Sequence, residues 1–234
     1  MGSYDNKMLM LNKDTILIIA DFLSNKGKIA LSSTSSVLRA LKYEFTYYDK
    51  VIAQKIKNLP HDRFKYIYFH AHQPNIPLYV THLQFSDPFD KDLCDIIPAT
   101  VTHLDFGMRF NRPIKGCIPR SVKNLTFGRD FNQSIKRCLP DTLQCLTFGY
   151  RFNKSIANAL PETLRYICFG DIFNQPIDGS LPNSVTHVTF GRNFNQSIGS
   201  CIPDLVTHLT FGENFDQVAE YNLPSSTTYL EFGY

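Results

Sequence analysis

From Ile76 onward the chain repeats one arrangement of apolar and polar positions every 21 residues. The segment LPNSVTHVTFGRNFNQSIGSC (181–201) shows one copy whole. Numbered from its Ile or Leu, each copy is apolar at positions 1, 5, 8, 10, 14 and 18 almost throughout. Positions 8 and 10 alternate with polar neighbours in runs such as SVTHVTF, which predicts a short strand with one buried face. Position 2 is Pro in every copy, from Pro77 to Pro224, and position 10 is Phe in every copy, from Phe85 to Phe232. Position 14 is Phe in all seven copies that reach it, from Phe89 to Phe215. These two columns hold 15 of the 19 Phe. Position 11 is Gly in seven copies, Ser86 being the exception, which predicts positive φ or a tight backbone approach just after the strand. Position 15 is Asn or Asp, suited to hydrogen-bonding backbone groups in a turn.

One copy buries too few side chains to offset the entropy of ordering it. Stacked copies pair strand on strand, recruit backbone hydrogen bonds and close one continuous core. The expected fold is therefore α/β: a leucine-rich-repeat-like parallel β solenoid of about eight 21-residue coils, preceded by a small α-helical module. The spacing V-x-x-L-x-F-G-x-x-F-N lies close to the L-x-x-L-x-L-x-x-N-x-L pattern of such repeats. Two interior aromatic ladders follow, with rings in the favourable range of about 4.5–7 Å. The return path from position 14 to the next Pro is too short and too Pro-restricted for a helix, so extended or 3₁₀ turns are expected.

These copies resemble FNIP repeats, a family named after its Phe-Asn-x-Pro-Ile core. That core reads FNRPI at 110–114, FNQPI at 173–177, and FNQSI at 131–135 and 194–198. The resemblance covers 76–234. The first copy departs from it with Ser86 and FDKDL (89–93), and the seventh with FDQVA (215–219), as terminal repeats do. Within 49–75, a linker region, LPHDRFKYIYF (59–69) keeps the Phe64-x-x-Ile67-x-Phe69 spacing and reads as a degenerate capping coil.

Residues 8–48 do not follow the period. Ile16, Ile19, Phe22 and Leu23 fall at helical spacing behind Asn12 or Asp14 as cap. A second apolar cluster at 29–31, the break SSTSS (32–36) and Val37, Leu38 and Leu41 predict two further short helices. The string 11–41 is similar to an F-box. Leu11, Ile16, Ile19, Phe22, Leu23, Leu31 and Leu38 fall at its apolar positions, while Asn12 replaces its usual Pro. An F-box followed by FNIP repeats is a pairing found in proteins of amoebae and their giant DNA viruses. That resemblance implies docking on a Skp-type adaptor of a cullin–RING ubiquitin ligase, with the repeats holding a target protein. The alternative is a ligase-independent scaffold whose N-terminal helices only cap the solenoid.

Charge and cysteine usage narrow the classes. Residues 1–57 carry nine basic against five acidic residues, and the remainder 15 against 16. A solenoid of net charge −1 lacks the basic stripe of a nucleic-acid binder. Six cysteines without CxxC spacing, and no leader or membrane span, point to a reducing compartment, expected to be cytoplasmic (the host's, if viral), with the nucleus left open. Four sequons, at Asn124, Asn132, Asn153 and Asn195, then go unused.

Outward strand positions 7 and 9 supply the candidate target-binding residues: His82, His103, Asp105, Tyr166, His187, His208 and Tyr229. His residues on neighbouring coils lie close enough to share a metal, but only Asp105 adds a ligand type, so a polar ladder with no metal and no cofactor is expected. No nucleophile–base–orienter set and no phosphate loop is present, so no enzymatic activity and no catalytic residue is expected. The last strand, followed by Gly233 and Tyr234 without a polar cap, predicts weak C-terminal self-association or fraying.

Overall fold

The computed structural model describes residues 11–93, 95–199, 201–217 and 223–233. Cys94, the 218–222 segment that includes part of FDQVA, Tyr234 and the first residues of the helical module lie outside them. The chain forms two compact units, Met1–Phe69 and His70–Tyr234.

In the first unit three short helices follow in quick succession: α1 (Lys13–Asp21), α2 (Asn25–Ser33) and α3 (Ser36–Leu41). Each starts behind a polar cap that satisfies an otherwise orphaned N–H. Asn12 accepts from Thr15 N at 2.8 Å, Ser24 from Gly27 N at 3.2 Å, and Ser35 from Leu38 N at 3.1 Å. Their apolar stripes meet in a small core of Ile16, Ala20, Leu38, Leu41, Phe45 and Tyr47. Lys28 is wholly buried; its ammonium donates to the Thr46 carbonyl, faces Asp21 at 3.5 Å and lies over the Tyr48 ring. After the helices a short strand β1 (Val51–Ile52) pairs in parallel with β2 (Ile67–Ala71), with single 3₁₀ turns at Ala53–Lys55 and His61–Arg63 between them.

The second unit is the solenoid. Its strands are β3 (His82–Phe85), β4 (His103–Asp105), β5 (Asn124–Thr126), β6 (Cys145–Thr147), β7 (Tyr166–Cys168), β8 (His187–Thr189), β9 (His208–Phe211) and β10 (Tyr229–Phe232). They pair in parallel, in chain order, and each residue faces the one 21 positions on: His82 with His103, Leu104 with Leu125, Val188 with Leu209. The sequence period is therefore the strand register itself.

The six coils from Ile76 to Cys201 each add three β-turns to their strand. In the coil of Ile97, Val101 N donates to Pro98 O at 3.0 Å, Phe110 N to Gly107 O at 3.3 Å, and Cys117 N to Ile114 O at 3.0 Å. The return path is extended and then turned, with no 3₁₀ helix among the described residues of this unit. The third turn places position 20 in the left-handed region, at Asp95, Gly116, Arg137, Asn158 and Gly179.

The six periodic apolar positions of the coil of Ile97 are all buried: Ile97, Val101, Leu104, Phe106, Phe110 and Ile114. The Phe of position 10 stack from coil to coil at 5.4–5.8 Å between ring centroids. Those of position 14 stack at 6.0–6.2 Å. Within a coil the two rings lie only 3.7–4.3 Å apart, so the columns interlock into one aromatic spine. Position 11 carries Gly because of close approach, not backbone sign: a Cβ on Gly149 would sit 2.0 Å from the Gly128 carbonyl oxygen.

Candidate functional site

The outward strand positions form a solvent-accessible face on the second unit. A backbone fixed by three further ladders holds it. Position 13 donates its N–H to the position 12 carbonyl of the preceding coil, as Asp130 does to Met108 at 2.8 Å. Position 4 hydroxyls donate likewise, Thr163 to Leu143 O at 2.8 Å and Ser184 to Leu164 O at 2.7 Å. The position 15 side chains make the third. Asn132, Asn153 and Asn174 each accept the backbone N–H of the Asn one coil later, at 2.9–3.0 Å. Gln175 and Gln196 add Nε2 donors to the same oxygens, at 3.0 and 2.9 Å. The Asn column, expected to hydrogen-bond backbone groups, takes those of the neighbouring coil.

The candidate residues fall into two groups on this face. His82 and His103 stack at 4.0 Å between ring centroids, next to Asp105, which accepts from Gln84 Nε2 at 3.2 Å. Farther along, Tyr166, His187, His208 and Tyr229 form one continuous outer stack, with successive spacings of 4.4, 4.1 and 5.5 Å. Asn124 and Cys145 separate the two groups. In each of these four His the Nδ1 lies 2.9 Å from the hydroxyl of the preceding Thr, so the rings repeat by translation from coil to coil. Among the described residues no three His, Cys, Asp or Glu side chains are grouped to hold a metal.

Burial holds the His103 imidazole below its ordinary pKa, with Lys123 adding repulsion. His187 is lowered by burial and then by His208. Burial raises Asp105, partly offset by the Gln84 hydrogen bond. Two ion pairs lie beside the face, Arg151 with Asp130 at 3.3 Å and Arg192 with Glu213 at 2.7 Å. The face thus offers aromatic rings and hydrogen-bonding groups at the spacing of a sheet.

The family comparison settles what the coils are. A model described as FNIP Repeat matches residues 54–109, 110–151, 131–172, 152–193, 173–204 and 194–234. The chain belongs to the FNIP repeat family. No curated protein matches it. Among solved structures, the FNIP chain is similar to CroV588, described as a novel circular LRR protein structure, with a TM-score of 0.67 and 41% identity. That similarity covers 75% of this chain and 28% of CroV588. The FNIP coils are thus a leucine-rich-repeat-like solenoid, a repeat scaffold consistent with protein–protein interaction. The family match begins at residue 54, ahead of the first strictly periodic copy.

A second surface lies on the helical module. Ile18, Ile19 and Phe22 are 62%, 41% and 87% exposed, with Leu11, Leu23, Ile29 and Val37 also at the surface. This part of the expected docking set divides. Ile16 and Leu38, 5% and 4% exposed, face the module's own core, and Leu31 packs against that core. Ile16 and Leu38 thus hold the helices together, while Leu31 is only partly buried against the same core. Leu11, Ile19, Phe22 and Leu23 remain. Sequence spacing places residues on a helix but does not say which neighbour covers them. The carbonyl held by Lys28 gave no sequence signal either.

Cys117, Cys138, Cys145, Cys168 and Cys201 form no disulfide. Cys201 donates to Asp178 Oδ1 at 2.9 Å, and burial together with that bond and charge pushes its thiol up to about 11. No described helix is long and apolar enough to cross a membrane.

Proposed function

We propose that this FNIP protein is a non-enzymatic, protein-binding adaptor, the substrate-recognition subunit of a cullin–RING ubiquitin ligase. In this reading the helical module docks on a Skp-type adaptor, and the outer face of the coils captures the target. The observation that carries it is the apolar surface of α1, where Phe22 stands almost fully in solvent on a module whose core is already complete. Uncovered apolar side chains of this size on a small helical unit mark a contact with another protein. The F-box resemblance of residues 11–41 supplies the kind of partner, and Asn12 supplies by side-chain capping the helix start that the missing Pro would favour.

The coils support the other half. Their backbone is fixed by the ladders while position 7 changes between His, Asn, Cys and Tyr along the coils, which is how repeat surfaces gain specificity for a target. The replaced Pro favours one alternative, a scaffold that binds targets without a ligase. A pull-down between purified chain and a purified Skp-type adaptor separates the two. Adaptor bound by the wild type and lost by Phe22→Asp supports the ligase reading; no adaptor binding, or binding that survives the substitution, leaves the scaffold.

A further inference from the structure

Between α2 and the segment 42–64, the first unit contains a cleft of about 730 Å³ that shares only Ile29 with the helical-module surface. Its base is apolar and ordered. Tyr47 and Ile56 are buried there with Val51 and Leu59 beside them, and Phe64 stacks on Tyr47 at 5.0 Å between ring centroids. The Tyr47 hydroxyl is tied down by donating to the Lys42 carbonyl at 2.7 Å. A wall built this way keeps its shape without a ligand, and its volume is that of a binding cleft.

The mouth has the opposite character. Lys26, Lys42, Lys50, Lys55 and Arg63 line it, against Asp49 as the one acidic lining residue. Arg63 is occupied, with Asp62 at 3.4 Å and the Glu44 carbonyl at 3.2 Å. Asp49 accepts from Asn25 N at 3.2 Å. The four lysines form no ion pair among the described residues: Lys42 and Lys50 rest over the rings of Tyr43 and Tyr68. An apolar floor under several unneutralised ammonium groups selects a ligand with an apolar centre and more than one carboxylate. A fatty acid, with one carboxylate, would neutralise only one of the four.

We propose that this cleft binds a peptide segment of a partner protein in which one or two apolar side chains are flanked by Asp and Glu. The apolar side chains seat on the Tyr47–Phe64 wall, and the carboxylates meet Lys26, Lys42, Lys50 and Lys55. This inference does not rest on the adaptor reading, since the cleft shares no residue with the Ile18, Ile19 and Phe22 surface.

Fluorescence anisotropy with the full chain tests it. The probes are labelled hexapeptides with a central Leu-Leu, Leu-Phe or Tyr-Ile pair and two Asp or Glu on each side. At least one is expected to bind with a Kd below about 1 mM. The exposed substitutions Lys50→Glu with Lys55→Glu, and separately Leu59→Asp, are each expected to weaken it at least about fivefold, with the far-ultraviolet circular dichroism unchanged. Phe22→Asp leaves it as in wild type. The proposal is overturned if none of the peptides binds in that range. It is also overturned if probes with a central Ser-Ser pair bind as well, which would show charge attraction alone, or if dodecanoate fills the cleft and the peptides do not.

Discussion

Glycine plays two different parts in each coil, and the difference is measurable. At position 11 a side chain has no room, because consecutive coils meet there backbone to backbone. At position 20 there is open space but the chain turns left-handed, with φ of 75° at Gly116. Gly149→Ala is therefore expected to destabilise the protein by about 2–3 kcal/mol, by forcing two coils apart. Gly116→Ala is expected to lose only about 1 kcal/mol, from backbone strain. Arg137, at φ 57°, carries that strain in the native chain, so Arg137→Gly is expected to gain about 0.5–1 kcal/mol. Urea unfolding midpoints of the three variants check the order; a Gly116→Ala loss as large as that of Gly149→Ala would contradict it. The column 11 glycines were evident in the sequence. Column 20 was not, although Asp95, Asn158 and two Gly in five coils are the residues that accept left-handed backbone, because Arg137 masks the pattern.

At the scale of the elements, strands only three or four residues long are held by what flanks them. The Asn column is the clearest case, since one side-chain oxygen receives both a backbone N–H and a Gln amide of the next coil. Asn153→Ala leaves the Asn174 N–H without that acceptor and is expected to cost about 1–3 kcal/mol. Amide exchange should show faster opening at Asn174 and the following residues than at coils two or more away; uniform change along the solenoid would count against a ladder of neighbour contacts. The strand, the buried columns and the helix caps were legible because period 21 and helical spacing fix which residues share a face. Which group accepts a given side chain was not legible. Asn153 bonds forward by a coil, Lys28 reaches Thr46, and the linker region around 49–64 forms a cleft wall, all through contacts that sequence spacing does not encode.

For the whole molecule, two surfaces of different chemistry are the central feature: an apolar helical face on one unit and an aromatic, hydrogen-bonding face on the other. The second face responds to acid. With the His103 and His187 pKa values below the unfolded value of about 6.5, the unfolded chain binds more protons than the folded one as pH falls. Their contribution is complete above pH about 6.5 and is lost as the pH drops through the lowered folded values. Urea midpoints are expected to fall from pH 7.5 to pH 5, and to fall less in His103→Gln with His187→Gln; an equal fall in both would remove these groups from the account. The two-surface claim itself is tested most directly by quantitative co-purification from the native cell. Wild type, Phe22→Asp and Tyr166→Ala with His187→Ala would be compared side by side. The account predicts that the first variant loses a Skp-type adaptor and its cullin while keeping the target, and the second loses the target while keeping the adaptor. Loss of the same partners from both variants, or of none from either, would contradict it.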